Sequence, residues 1–134
     1  MPWAIAARKV YPSKRIISLS GDGGFLFSAM ELETAVREKA HFIHFIWCDG
    51  SYNMVKEQEV MKYHRESGVK LGSVKAIQFA EAFGAKGYKL SSADDFQTVF
   101  TDALQQDVPV IINVNIDYSD NEQLFKTLHD HVGN

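Results

Sequence analysis

Short runs that are apolar at nearly every position alternate along this chain with longer stretches whose apolar residues recur every three or four positions. The runs cover residues 15–20, 42–48 and 108–116, with a shorter one at 86–90. A strand that is apolar throughout has both faces covered, as in a parallel sheet between helices. The intervening stretches read as helices. Leu32, Ala35, Val36 and Lys39 fall at helical spacing in 28–39, and Glu33 and Arg37 stand one turn apart as a potential ion pair. Ile77, Ala80 and Phe83 share one face of 75–83. Phe96, Val99, Phe100, Ala103 and Leu104 form an apolar stripe on 93–105, behind a Ser91-Ser92 capping region. Pro2 opens a first helix over 2–10, which Tyr11-Pro12 breaks. The stretch 54–66 has helical character without a convincing apolar face, as in a segment turned toward a ligand or partner, and 120–131 reads as a loose terminal helix. Asn113 and Asn115 lie on one face of the last strand, so that face is expected to be less deeply buried. The alternation predicts an α/β fold, a doubly wound parallel sheet with helices on both faces and right-handed crossovers.

Between the strand at 15–20 and the following helix stands Gly21-Asp22-Gly23-Gly24. Strand, glycine turn and helix make the geometry of a phosphate site, because glycines let the backbone approach an anion and a helix N-terminus offers unpaired N–H groups. Asp22 is the odd member. A carboxylate beside a phosphate repels it unless a cation lies between, and Mg²⁺ takes carboxylate and phosphate oxygens together. A second acid, Asp49, closes the strand at 42–48, so both acids are expected at carboxyl ends of parallel strands, where open α/β sheets bind ligands. The blander alternative is that each acid only caps a turn, Asp-Gly being a common turn pair.

Gly21-Asp22-Gly23, followed after residues 24–47 by Cys48-Asp49, resembles the signature of thiamin diphosphate enzymes, a Gly-Asp-Gly and a later pair usually written Asn-Asn. The departure is Cys-Asp for Asn-Asn; the second member is the family's metal ligand, and Asp fills that role as well as Asn. The wider text, GDGGFLFSAMELETAVREKA and IWCDGSYNMV, is most similar to FAD-independent, catabolic acetolactate synthases, from about Pro2 to Asn121. The resemblance implies a C-terminal thiamin diphosphate-binding domain, here residues 1–134 as one domain lacking its first segment. It implies Mg²⁺ held by Asp22, Asp49 and the backbone carbonyl of Ser51, and a cofactor bound by Gly21, Asp22, Gly23, Gly24, Ser51, Tyr52, Asn53 and Met54, with Gly23, Gly24 and Asn53 on its diphosphate. Gln58, one helical turn beyond Met54, is implied to face substrate. FAD-dependent relatives carry tryptophan there, so no FAD is expected. Lys56 and Glu57 stand where the family is usually more apolar.

Rival readings of the same residues are weaker. A dinucleotide fingerprint needs G-x-G-x-x-G, and Leu26 occupies the last position. An aspartyl phosphotransfer site would cluster its acids on one loop. Cys48 has no basic neighbour in sequence and reads as a structural thiol. The five histidines are scattered, and Trp47 reads as core.

Composition adds limits. At 134 residues, with 46% apolar and 23% charged residues, the chain can build one ordinary core. A net charge of −3 argues against nucleic acid, which demands a basic face. No apolar run approaches the roughly 20 residues of a membrane span, and no secretory pattern opens the chain. A single cysteine makes no internal disulfide. A cytoplasmic protein is expected.

By the resemblance, two pyruvates become 2-acetolactate and carbon dioxide. The activating glutamate belongs, in the family, to a different domain, usually of a neighbouring subunit, and the hydrophobic residue that bends the cofactor is expected to precede residue 1. The chain alone is therefore expected to be inactive, to associate as a homo-oligomer, and to need the missing N-terminal domains. From a different class, a non-catalytic folded module that keeps the sheet is the alternative.

Overall fold

A computed structural model describes residues 1–118; the expected terminal helix at 120–131 lies outside them. The elements in order are α1 (Pro2–Val10), β1 (Ile17–Gly21), α2 (Asp22–Leu26), α3 (Glu31–Arg37), β2 (Ile43–Cys48), α4 (Asn53–Tyr63), α5 (Ala76–Ala82), β3 (Lys86–Leu90), a 3-10 turn (Ala93–Asp95), α6 (Phe96–Ala103) and β4 (Val110–Asn115). The four strands pair in the order β1-β2-β4-β3, all parallel. This is the expected α/β class. No helix among the described residues is long and apolar enough to cross a membrane.

The two faces of β2 explain the layers. His44, Ile46 and Cys48 alternate with Ile43, Phe45 and Trp47, as strand geometry demands. One face carries a core of Ala4, Phe25, Leu32, Ala35, Ile46, Ala80 and Ile111, contributed by α1, α2, α3 and α5 as well as the sheet. The other carries Ile43, Phe45, Val110, Ile112 and Val114 under Ala103, Val99 and Phe100 of α6. Coverage of that second face is partial. Ile17 and Leu19 of β1 remain exposed and join Phe45, Trp47, Phe96 and Ile116 around an apolar groove of about 770 Å³. Helices on both faces is thus correct for β3 and β4, while this side of β1 is bare.

The helix expected over 28–39 is found as α3, and a second short helix, α2, which was not expected, precedes it. Helical backbone begins at Asp22, directly off the strand, because Gly21 turns the chain in extended conformation (φ −71°, ψ 168°) and Phe25 drives into the core. The Glu33–Arg37 pair forms at 3.1 Å on an exposed surface, where such a contact adds little stability. Ser92 caps the 3-10 turn, its Oγ accepting from the Asp94 N–H at 3.2 Å. Asn113 is half-buried and Asn115 exposed, as their shared face suggested.

His44 is the buried polar residue of the core, 1% exposed. Its Nδ1 meets Ser18 Oγ at 2.8 Å and its Nε2 meets Ser20 Oγ at 3.0 Å. A neutral imidazole has one donor and one acceptor nitrogen, so one serine accepts and the other donates. Burial, with a smaller push from the chain's amino group, lowers the His44 pKa from 6.5 to about 4. The unfolded chain therefore takes up a proton at this site before the folded chain does. Stability is fully present above pH 6.5 and falls as pH drops from 6.5 toward 4, by about 3 kcal/mol at most. Urea unfolding between pH 7.5 and 4.5 should show this loss in the parent chain and a flatter profile in His44→Asn; equal slopes would refute the assignment.

Candidate cofactor and metal site

Parallel pairing sets the two acids side by side. β1 and β2 pair with Gly21 opposite Trp47, so Asp22 leaves β1 beside the strand end from which Asp49 leaves β2. The convergence is visible in their effect on neighbours. Burial is the main cause that pushes the Cys48 thiol up to about 11, and Asp22 and Asp49 both add to it. The same two carboxylates raise the Tyr118 phenol, again behind burial.

Each carboxylate also pins a loop. Asp22 Oδ1 accepts from the Gly23 N–H and Oδ2 from the Gly50 N–H, both at 2.8 Å. Asp49 Oδ1 accepts from the Ser51 N–H at 3.1 Å and Oδ2 from the Ser51 hydroxyl at 2.7 Å. The turn-capping alternative is thus realised, yet it does not exhaust the acids. An ionised carboxylate offers about four lone-pair sites, and these contacts use two on each.

The loop between Asp49 and α4 is held from outside. Gly50 adopts φ +76°, a left-handed value natural to glycine. Tyr52 N–H donates to the Val69 carbonyl and Leu71 N–H to the Gly50 carbonyl, each at 2.9 Å. Ser51 and Lys70 thereby form an antiparallel bridge, anchored by the buried Val69. The Tyr52 ring lies over Gly23, so close that a Cβ there would sit 2.5 Å from Tyr52 Cε1. A side chain at position 23 would therefore displace the Tyr52 ring, whatever the site binds. Phe27 flanks Tyr52 with ring centroids 6.4 Å apart.

The result is a cavity of about 370 Å³ lined by Gly21, Asp22, Gly23, Gly24, Asp49, Ser51, Tyr52, Asn53 and Met54. Every residue the sequence nominated for cofactor or metal stands there. Gln58 does not; it is exposed on α4 and absent from the lining. Trp47, Val55 and Tyr118 also line the cavity and were missed. Trp47 was read as core, but the strand brings it to the carboxyl end half-buried. Tyr118 follows the end of β4, so its position past a strand terminus was the available signal. Cys48 donates to Asn113 Oδ1 at 3.0 Å, as befits a structural thiol.

The fit to a metal and an anionic cofactor rests on the donor set. Two carboxylates with open lone pairs, Ser51 beside them and a glycine turn whose backbone lines the cavity offer hard oxygens and N–H groups, suited to Mg²⁺ and phosphate. Among the described residues no group of three or more His, Cys, Asp or Glu assembles a metal site by itself. Such a cation would need oxygens from backbone or ligand. The larger apolar groove on the bare side of the sheet is lined by no acid or base.

Comparison with known proteins agrees with this geometry. Residues 1–114 match the family described as "Thiamine pyrophosphate enzyme, C-terminal TPP binding domain". Over 124 residues the chain is 49% identical to an acetolactate synthase of Bacillus subtilis (strain 168), covering 92% of this chain and 22% of that protein. It is 48% identical over 129 residues to a catabolic acetolactate synthase of Raoultella terrigena, covering 96% and 23% respectively. A solved thiamine diphosphate-dependent 4-hydroxybenzoylformate decarboxylase of Rhodococcus jostii RHA1 superposes with a TM-score of 0.81 at 28% identity, over 89% of this chain and 23% of that one. The chain thus spans less than a quarter of the length of these relatives. It belongs to the thiamine pyrophosphate enzymes, as their C-terminal cofactor-binding domain.

Proposed function

We propose that this chain is a Mg²⁺- and thiamin diphosphate-anchoring domain of a catabolic acetolactate synthase. The observation that carries the reading is the convergence of Asp22 and Asp49 at adjacent strand ends beside a glycine turn. Asp22, Asp49 and the Ser51 carbonyl would hold Mg²⁺, which neutralises the repulsion between the acids and a diphosphate. The backbone at Gly23 and Gly24, with Asn53, would take the diphosphate oxygens. Tyr52 packs on the turn at Gly23, and Trp47, Met54 and Tyr118 form part of the cavity's walls. Bound thiamin diphosphate supplies an electron sink for the decarboxylation of pyruvate and the joining of the resulting two-carbon unit to a second pyruvate. The protein's part at this end is to fix the cofactor. Gln58 remains a proposal for substrate contact only where a facing domain folds over the exposed side of α4. We expect no bound FAD, a cytoplasmic location, and function within a homo-oligomer together with the further domains of a parent enzyme as long as its relatives.

Calorimetry of the chain with thiamin diphosphate should show binding that requires Mg²⁺. Asp22→Ala should abolish it, whereas Asp49→Asn, which restores the family's usual ligand, should keep it. Unchanged binding in Asp22→Ala would sink the metal assignment. Failure of the parent chain to bind would favour the non-catalytic module.

Activity should separate the family's reaction from this chain's capacity. The activating carboxylate and the facing domain are supplied elsewhere in the family, and positioning of reactants accounts for about 7–11 kcal/mol of barrier. The 134-residue chain with pyruvate, Mg²⁺ and thiamin diphosphate should make no measurable acetolactate. Robust product formation, lost in Asp49→Ala, would show that the catalytic machinery is misplaced here.

Association is expected from exposed apolar surface. Trp3, Phe27 and Met30 are 89%, 84% and 80% exposed, and α4 buries none of its residues while exposing Met54, Val55 and Met61. Light scattering should report a dimer or larger species; a monodisperse monomer at high concentration would count against it.

A further inference from the structure

The amino ends of β1 and β2 lie at the edge of the sheet opposite Asp22 and Asp49. There α1, the chain entering both strands and the turn after α6 border a cleft of about 110 Å³ that is open to solvent on one side, with an apolar floor that includes Ile16, Phe42 and Val110 and a polar rim of Arg8, Arg15, His41 and Gln106. Both guanidinium groups are held in place by carbonyls. Arg8 Nη1 donates to the Lys14 carbonyl at 2.8 Å, and Arg15 Nη1 donates to the Leu104 carbonyl at 2.7 Å. A guanidinium carries five N–H donors and no acceptor, so each carbonyl occupies a small part of its capacity. Among the described residues the ion pairs engage Lys9, Arg37 and Lys70, and no carboxylate pairs with Arg8 or Arg15.

We propose that Arg8, Arg15 and His41 form a binding site for a compact oxyanion, remote from the cofactor cavity. Two forked cations fixed by backbone oxygens match the edges of a phosphate or carboxylate, and a guanidinium sheds water more readily than an ammonium. A water needs about 10–15 Å³ of such space, so the cleft has room for an ion of phosphate or acetate size. The charges that face His41 are Arg8, Lys39 and Asp107, two cations against one acid. Burial first, then Arg8, with Lys39 assisting and Asp107 opposing, hold its pKa below the ordinary 6.5. A bound anion would reverse the sign of that field and raise it. The site also stands at the starts of the two strands whose ends carry Asp22 and Asp49, so an occupant would brace both strands from below.

The test is a nuclear magnetic resonance titration of the full chain in chloride buffer with inorganic phosphate, and separately with sodium acetate. Saturable shifts of the His41 ring and of the Arg8 and Arg15 Nε–H groups are expected, together with a rise in the His41 pKa. Phosphate outcompeting acetate at equal ionic strength would identify a phosphoryl-type ligand; the reverse would identify a carboxylate. Arg8→Gln and Arg15→Gln should each weaken binding about tenfold or more, as loss of a charge-assisted contact implies. The milder Arg8→Lys should fall between if the glutamine variant folds poorly by circular dichroism. Asp22→Ala should leave the His41 response intact, which separates this site from the cofactor cradle. The proposal is overturned if His41 shows no saturable shift, if the shift survives both glutamine substitutions, or if it disappears with Asp22→Ala.

Discussion

The pairing of β1 with β2 is the constraint on which the site depends. Side-chain direction alternates along a strand, so a slip of one residue would move every side chain to the other face. Here the slip is blocked by chemistry as well as by apolar pattern. His44 bonds Ser18 with one ring nitrogen and Ser20 with the other, and a slip of one residue would turn both serines to the far face of β1. Because Ser20 directly precedes Gly21-Asp22, a part-buried contact between the edge strand β1 and its neighbour β2 helps set where Asp22 emerges relative to Asp49.

Above that register the site is built from economy of parts. Both acids act first as loop anchors, Asp22 joining the two strand ends through the Gly50 N–H and Asp49 folding Ser51 back on itself. A carboxylate that anchors a loop arrives already oriented, so a cation meets fixed oxygens instead of ordering two free side chains. The absence of a side chain at Gly23 serves the Tyr52 ring in the same way. Pre-organisation here is a property of backbone donors and one aromatic contact rather than of a charged cluster.

The bare side of the sheet is the counterpart of this order. Ile17 and Leu19 stand exposed beside Phe45 and Trp47 while the opposite face is closed by four helices. A strand as apolar as β2 is written for cover on both sides, and α6 reaches only part of one of them. Together with Trp3, Phe27 and Met30, the groove leaves apolar area that water solvates poorly.

Much of this could be read from residue order. The four strands, the parallel class, the glycine turn and the pair of acids depend on local period and on short motifs, and local patterns survive folding. So do the Ser92 cap and the Glu33–Arg37 pair, whose partners lie within one helical turn. The sequence by itself also carried the family, since Gly21-Asp22-Gly23 and Asp49 are contiguous text. What only tertiary structure decided are contacts between distant segments. The break at Phe27–Met30 between α2 and α3 arises because Phe25 is pulled into a core shared with Phe79 and His44. The Val69–Leu71 clamp on Gly50–Tyr52 joins residues that no period connects. Trp47 and Tyr118 reached the cavity, and Gln58 did not, because strand ends and helix rotation, not spacing along the chain, determine which side chains share a space.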